Sequence, residues 1–235
     1  MKAAEPATVT SNMEASGPLP EILDISLPIF PGMPIWPGDP APALEPVTTL
    51  GCHGVQTSRL IVGTHTGTHL DAPRHFIPGG RTVDQLDLQS LVGPCQVIEV
   101  INGGGRLSHA DLRPFDLQPG ARVLLKTRRS QRPDGLAFAP DFIALDPSAA
   151  DYLCERRVRL VGIDSPSIDA WGADAFPCHK RLLGADILLL ENLALRHVAP
   201  GVYGLIAVPL NLVAADGCPV RALLTRMPLS SQALG

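Results

Sequence analysis

The chain has 235 residues, of which 45% are hydrophobic and 18% charged, with a formal net charge of −4. This length is sufficient for one sizeable hydrophobic core. A mildly acidic chain gives no reason to expect a nucleic-acid partner. No apolar run reaches the roughly 18 residues of a membrane span. We therefore expect neither a nucleic acid nor a membrane as a partner.

The five cysteines are an odd number without a paired spacing pattern, which favours a reduced, cytoplasmic protein over a disulfide framework. Residues 1–20 lack the apolar segment of a secretory signal. Their composition is typical of a disordered tail. We expect a folded domain over residues 21–230 and a cytoplasmic location.

Residues 21–30 alternate well enough to predict a strand, which leads into a loop rich in proline and glycine at 31–40. The loop carries Trp36, one of only two tryptophans in the chain. Its ring either closes an edge of the core or lines a ligand pocket, and the pattern does not decide between them. Another strand is predicted over residues 56–62.

Residues 63–76 contain three of the seven histidines and one aspartate between them. His65, His69, Asp71 and His75 are all odd-numbered, so an extended chain would direct all four to one face. Glycine and proline within the segment disfavour a helix. Imidazole and carboxylate groups on one face are typical ligands of a zinc- or manganese-type cation. The sequence predicts a metal site here, with a buried polar cluster or an exposed histidine-rich loop as the alternatives.

Spacing does not determine which of these four side chains bind the metal. A catalytic metal centre typically has three protein ligands and keeps one position open for water. One of the four side chains is then left to move protons. His75 is the best candidate for that role, because it lies beyond Pro73.

Helices and strands are predicted to alternate through the rest of the chain. The basic cluster at 128–132 is predicted to be a solvated loop. Because strands outnumber helices and the connections are of mixed kinds, the pattern predicts the α/β or α+β class with a mixed sheet. Helices are predicted over 83–91 with Thr82 as N-cap, 109–113 with Ser108 as N-cap, 147–157 and 179–185; strands are predicted over 95–101, 121–127, 158–164, 186–192, 202–212 and 219–225; and turns are predicted at 103–105 and 214–218.

Two residues stand out in the C-terminal half. Glu191 interrupts an apolar strand, where a buried carboxylate needs a cation or hydrogen-bond donors. His179 follows Pro177 and Cys178 at the start of a predicted helix. The alternatives are a salt bridge at a strand end for Glu191 and a helix-capping or surface position for His179.

The segment HTGTHLDAPRH (65–75) matches all seven fixed positions of the signature HxGTHxDxPxH. The chain thereby resembles the metal-dependent cyclase-like hydrolases, a family that includes bacterial kynurenine formamidase and isatin hydrolase. The resemblance extends from about residue 22 to 226 and includes the segments 162–167 and 216–221. It implies an α/β swivelling β/β/α fold with a mixed sheet in a single domain, and a homodimer.

The resemblance also implies roles for individual residues. His65, His69 and Asp71 would bind one zinc ion, and Asp71 would bridge to a second metal. The second metal would be held also by His179 and Glu191, and His75 would be the general acid/base. Members like isatin hydrolase work with a single manganese, so the expected cofactor is Zn²⁺, two ions by the formamidase pattern, or Mn²⁺.

We therefore expect a hydrolase that cleaves a formamide or lactam C–N bond with metal-activated water, and N-formyl-L-kynurenine is the first substrate to consider. Isatin, a lactone or an ester are the alternatives within the family. Trp36 and Phe30 would stack on an aryl group. The chain has Asn192 where the formamidase branch commonly has glycine, and it has Gly217 and Cys218 where that branch has alanine and serine. The metal chemistry is therefore better defined than the substrate.

Two alternative functions from other classes of protein are less well supported by the sequence. A serine hydrolase is disfavoured because the chain contains no G-x-S-x-G segment. A non-catalytic metal-binding protein would close its coordination sphere and leave no group for proton transfer, whereas His75 is available for that purpose.

Overall fold

The computed structural model describes residues 21–101, 104–132 and 139–226. The predicted tail at 1–20, Gly103 of the predicted turn and the last residues of the predicted domain, 227–230, lie outside these ranges. The described helices are α1 (Leu50–His53), α2 (His109–Leu112), α3 (Pro147–Glu155) and α4 (Pro177–Gly184), and short 3-10 helices cover Pro73–His75, Val83–Gln85, Leu88–Ser90 and Arg128–Gln131.

The strands of the described residues form one large sheet and two small ones. The strands are β1 (Ile22–Asp24), β2 (Ala43–Thr48), β3 (Thr57–Ile61), β4 (His69–Asp71), β5 (Val92–Glu99), β6 (Arg106–Leu107), β7 (Arg122–Lys126), β8 (Ala144–Leu145), β9 (Leu160–Ile163), β10 (Leu188–Glu191), β11 (Gly201–Ile206), β12 (Gly217–Pro219) and β13 (Leu223–Thr225). The large sheet has nine strands in the order β1-β13-β11-β5-β7-β9-β10-β4-β12. Strands β5, β7, β9 and β10 run parallel, and the outer pairs are antiparallel. The α/β class with a mixed sheet is confirmed.

The large sheet is covered on both faces, which explains why its central strands are apolar throughout. Every residue of β7 is buried. Side chains alternate between faces along a strand, so Leu124 joins one hydrophobic cluster while Val123 and Leu125 join the other. The second cluster also contains Leu153 of α3 and Leu182 of α4, so the helices pack on that face.

The predicted helix over 83–91 is wrong as a continuous helix. Thr82 does form a capping box with Gln85, but Leu86 is extended and ends the first 3-10 turn. Asp87 then caps a second turn by accepting a hydrogen bond from Gln89 N–H. Local side-chain bonds of this kind compete with a helix. The starts of two other predicted helices agree with the prediction, because Ser108 caps α2 and Pro147 opens α3, whereas the helix predicted over 179–185 begins earlier, at Pro177.

The predicted solvated loop at 128–132 is wrong at its centre. Arg128–Gln131 is a 3-10 turn, and Arg129 is only 5% exposed. The turn is fixed by Asp164, which follows β9. Its carboxylate accepts hydrogen bonds from Thr127 N–H at 2.9 Å and Ser130 N–H at 3.2 Å. The ends of β7 and β9 are thereby tied together.

Strands β2 and β3 form an antiparallel hairpin outside the large sheet, with α1 between them. Strand β3 confirms the strand predicted over 56–62, whereas β2 was not predicted. Leu44 and Leu60 are paired across the hairpin and are 58% and 62% exposed. No helix in the described part of the chain has the length and apolar character needed to cross a bilayer.

Candidate active site

The segment 63–76 brings its four predicted side chains together, but it is not extended. Only His69–Asp71 is a strand; residues 64–68 turn through Gly67 at φ +65°, and His75 lies in a 3-10 helix. The predicted single extended face is therefore wrong. His69 and Asp71 share a face of β4 because they are two residues apart. The bends on either side place the other two imidazoles beside them.

Asp71 is the centre of the cluster and is 1% exposed. Its Oδ1 atom lies 2.8 Å from His65 Nδ1 and 3.4 Å from His69 Nε2. Its Oδ2 atom lies 3.5 Å from His179 Nε2 and has no hydrogen-bond partner. A buried carboxylate oxygen without a partner is costly. A cation bound at this atom would remove that cost.

Glu191 reaches the cluster through strand register. It lies directly opposite His69 in the antiparallel pairing of β10 with β4, so both side chains point to the same face. Its Oε2 atom lies 3.5 Å from His69 Nε2, and its Oε1 atom lies 3.1 Å from His179 Nε2. The backbone N–H of Ile168 donates a hydrogen bond to Oε1.

His179 enters from the first turn of α4 and is held by Asp169, a residue that the sequence reasoning missed. The Asp169 carboxylate accepts hydrogen bonds from the backbone N–H of Cys178 and of His179, each at 3.0 Å. It also lies 2.7 Å from His179 Nδ1. This contact directs Nε2 toward Asp71 and Glu191. A carboxylate behind a histidine is the usual support of a metal-ligating imidazole.

Asp216 is a second site residue that received no role from the sequence. Its Oδ2 atom lies 3.0 Å from His65 Nε2 and 3.4 Å from His75 Nδ1. The rings of His65 and His75 are stacked, with centroids 3.8 Å apart. Asp216 precedes β12, which pairs with β4. The segment 216–221 belongs to the family resemblance, and this was the only signal that could have pointed to it.

The electrostatics of the cluster reflect two buried carboxylates among imidazoles. Burial lowers the pKa of His65, but hydrogen bonds with Asp216 and Asp71 outweigh it and raise the pKa to about 9. The same competition, with Asp71 and Glu191 as partners, raises the pKa of His69 to about 10. Burial instead lowers the pKa of His75. Without a metal, protons on the other imidazoles balance the carboxylates.

These groups fit a divalent metal ion. Ligand atoms of His69, Asp71 and Glu191 lie within 4.8 Å of one another, and so do those of His65, Asp71 and His75. Neutral imidazole and carboxylate are the donor set of zinc- and manganese-type sites. Asp71 belongs to both groups and its Oδ2 atom lacks a partner. The cluster is a candidate metal centre.

A cavity of about 330 Å³ opens over the metal centre. Its walls include three aromatic side chains, Trp36, Phe76 and Phe176. Trp36 thus lines the cavity, and its ring centroid is 5.0 Å from that of Trp171. Phe30 is 41% exposed and does not line the cavity. Fold and site together are those expected of a metal-dependent hydrolase.

Comparison with known proteins places the chain among its relatives. The model of the Cyclase family matches residues 23–170. The kynurenine formamidase of Geobacillus thermodenitrificans is 39% identical over 210 residues, covering 87% of this chain and 97% of that protein. The kynurenine formamidase of Maricaulis maris is 36% identical over 207 residues, covering 87% and 98%. The chain belongs to the Cyclase family.

Solved structures agree with this membership. One described as a potential metal-dependent hydrolase with cyclase activity is 36% identical, with a TM-score of 0.78 over 88% of this chain and 99% of that one. Isatin hydrolase A from Labrenzia aggregata, bound to benzyl benzoate, is 26% identical, with a TM-score of 0.75 over 87% and 93%. The protein is an enzyme of this family, a hydrolase with a metal cofactor.

Proposed function

We propose that the protein is a kynurenine formamidase, which hydrolyses the formamide bond of N-formyl-L-kynurenine. The observation that carries this proposal is the partnerless, buried Oδ2 atom of Asp71, which lies among imidazoles below an aromatic-walled cavity. That arrangement suits a metal-assisted attack on an amide attached to an aryl ring. The two formamidase relatives support the choice of substrate.

The metal ligands in this proposal are His65, His69 and Asp71 for one ion, and Asp71, His179 and Glu191 for a second. Zinc is the first choice and manganese the alternative, because imidazole and carboxylate suit both. A bound ion supplies Lewis acidity to the amide carbonyl and activates water for attack. The buried side chains orient these ligands and exclude bulk water.

His75 is the proposed proton shuttle. Its side chain is 27% exposed, so it can reach both the metal centre and a bound substrate. Burial holds its pKa below the usual value, so the imidazole is neutral near pH 7 and can accept a proton. It takes the proton of the attacking water and delivers it to the leaving aryl nitrogen. General acid–base catalysis of this kind contributes about 10²–10⁴-fold.

The aromatic walls hold the aryl group of the substrate. Trp36 comes from the proline-rich loop, Phe76 follows His75, and Phe176 precedes α4. Phe76 and Phe176 contact each other at 5.1 Å between ring centroids. Flat apolar walls of this kind favour an aryl amide over an alkyl amide.

The test is a parallel assay of N-formyl-L-kynurenine, isatin and a dienelactone with the metal-loaded enzyme, repeated after chelation. We expect the formamide to have the highest kcat/KM and to lose turnover with the metal. Higher kcat/KM for isatin would assign the enzyme to the isatin hydrolase branch. Full activity in chelator would overturn the metal mechanism, and a metal-loaded protein without turnover would be a binding protein.

We also propose that the protein is a homodimer in which the β2–β3 hairpin packs against a second copy. Leu44 and Leu60 form an exposed apolar pair on this hairpin, and Val47 and Leu50 nearby are 63% and 65% exposed. Light scattering should give a dimer for the wild type and a monomer for Leu44→Glu with Leu60→Lys. A charge at Val202, which is equally exposed on β11, should leave the dimer intact. A monomeric wild type would contradict the proposal.

The cytoplasm is the proposed location. All five cysteines are free thiols, and three of them are buried. Disulfides are rare in the reducing cytoplasm. The test is fractionation of the source cells, in which formamidase activity should follow cytoplasmic marker enzymes.

A further inference from the structure

Arg129 places a basic side chain in the wall of the active-site cavity. It is the only arginine or lysine among the described residues that line the cavity. The residue is 5% exposed, so its side chain is buried within the protein and not spread on the outer surface. A guanidinium presents planar N–H donors that match a carboxylate. The proposed hydrolysis of the amide itself makes no use of this charge.

The backbone of Arg129 is rigidly placed. Its N–H donates to Thr127 Oγ1 at 3.1 Å. Thr127 Oγ1 in turn donates to Asp164 Oδ1 at 2.8 Å, and Asp164 also binds the next residue, Ser130. These groups are all buried. Binding groups on a pre-organised turn lose little conformational entropy when a ligand arrives.

Sheet geometry sets the separation between the strands that precede Arg129 and carry Glu191. Strands β7, β9 and β10 are parallel neighbours, so their carboxyl ends lie along one edge of the sheet. Arg129 follows β7, Ser167 follows β9 and Glu191 ends β10, and all three line the cavity. Two strand spacings of about 4.8 Å separate β7 from β10, or about 10 Å in all.

We propose that Arg129 binds the carboxylate of the substrate, so that the enzyme selects aryl formamides that carry a remote acid group. The proposed role of Arg129 rests on the proposed function, which places the formyl group at the metal centre. In N-formyl-L-kynurenine seven covalent bonds separate the formyl carbon from the carboxylate carbon, which is roughly 8 Å with bonds of about 1.5 Å. A substrate with its formyl group at Glu191 thus extends its carboxylate over Ser167 toward Arg129.

The proposal also separates the two candidate substrates. Isatin carries no carboxylate, so Arg129 would give it no charge-assisted hydrogen bond. N-formyl-L-kynurenine carries a carboxylate, and its distance from the formyl group is similar to the separation of β7 from β10. A cation in the wall is therefore a specificity-determining group for the formamide, since charge-assisted hydrogen bonds are about twice as strong as neutral ones.

The first test compares two substrates on the metal-loaded enzyme. Arg129→Gln should lower kcat/KM for N-formyl-L-kynurenine roughly 10- to 100-fold. It should change kcat/KM less than threefold for N-(2-acetylphenyl)formamide, which keeps the aryl ketone and lacks the amino-acid group. Arg129→Lys should restore part of the loss. Arg128→Gln, on the exposed neighbour outside this cavity, is the matched control and should behave as wild type.

An equal loss on both substrates, or no loss on either, would overturn the role of Arg129. Calorimetric binding of L-kynurenine and of neutral 2-aminoacetophenone provides a second measurement that needs no turnover and applies to any variant that stays folded. Wild type should bind the acid at least tenfold more tightly, and Arg129→Gln should abolish that preference. If the preference is present but no formamide is hydrolysed, the proposed function fails and the Arg129 site stands. If wild type shows no preference, the Arg129 site fails.

Discussion

A Cβ atom placed on Gly217 would lie 2.4 Å from Cε1 of His65. Gly217 pairs with Asp71 across the β12–β4 ladder, so its backbone lies against the metal centre. The absence of a side chain at 217 is what allows the His65 ring to lie between Asp71 and Asp216. This contact explains, on structural grounds, why glycine follows Asp216.

Gly217→Ala should displace the His65 ring and weaken metal binding by about 10–100-fold, the usual effect of disturbing a ligand's support. Metal affinity measured by competition with a chromophoric chelator checks this. Gly51→Ala is the control, because a Cβ there meets nothing within 4 Å. Unchanged affinity in Gly217→Ala would mean that His65 is not a ligand.

His75→Ala and Asp71→Ala should both lose activity, but for different reasons. His75→Ala should keep its metal and lose about 10²–10⁴-fold in kcat, the contribution expected of a general acid–base group. Asp71→Ala should lose the metal itself, because Asp71 belongs to both proposed ligand sets and its Oδ2 atom is buried without a hydrogen-bond partner. Metal analysis and kcat on the same preparations distinguish them. Equal metal loss in both variants would contradict the assignment of His75 as the proton shuttle.

Asp169→Asn should weaken metal binding through His179. The amide keeps the size of the side chain but removes the charge that holds His179 Nδ1 at 2.7 Å. We expect about a 10–100-fold loss of affinity, with kcat largely recovered at saturating metal. Asp151→Asn, an exposed ion-pair partner of Arg181, is the control. Identical affinities in the two variants would contradict the support role.

The metal-free protein should lose stability as pH rises. The pKa of His65 is raised from 6.5 to about 9, and that of His69 to about 10. Stabilisation by these protonated imidazoles is therefore complete below about pH 6.5 and is lost as pH rises toward 9 to 10. Metal binding needs neutral imidazoles, so it releases protons and strengthens over the same range.

Scanning calorimetry at several pH values between 6 and 9 checks this expectation. With chelator present the Tm should fall with increasing pH, whereas the increase in Tm caused by added zinc should grow. Parallel curves with and without metal would show that the imidazoles do not change protonation on metal binding.

The sequence revealed the local half of the site, because His65, His69, Asp71 and His75 are close in the chain. Their convergence was predicted for a wrong reason, since the segment bends at Gly67 and at Pro73 instead of staying extended. The position of Glu191 depends on the register of β10 against β4. The interrupted apolar strand singled out Glu191, but no local pattern encodes a pairing between strands so distant in the chain, so only the family resemblance placed it in this site.

Other residues were missed because their environment is tertiary. Arg129 belongs to a basic run, which normally indicates a solvated surface. It is buried because Asp164 fixes the turn beneath it. Strand β2 was not predicted, and it pairs with β3 outside the main sheet. The central strands and the caps of α2 and α3 were predictable because apolar runs and capping residues are local signals.

Strand β4, which carries His69 and Asp71, has its hydrogen-bonded neighbours in β10 and β12. Both neighbours come far later in the chain. During synthesis the ligands of β4 therefore emerge from the ribosome long before the strands that hold them in place. A product truncated before β10 would lack both neighbours of β4 and would bind the ion poorly, even though it contains the whole HTGTHLDAPRH segment.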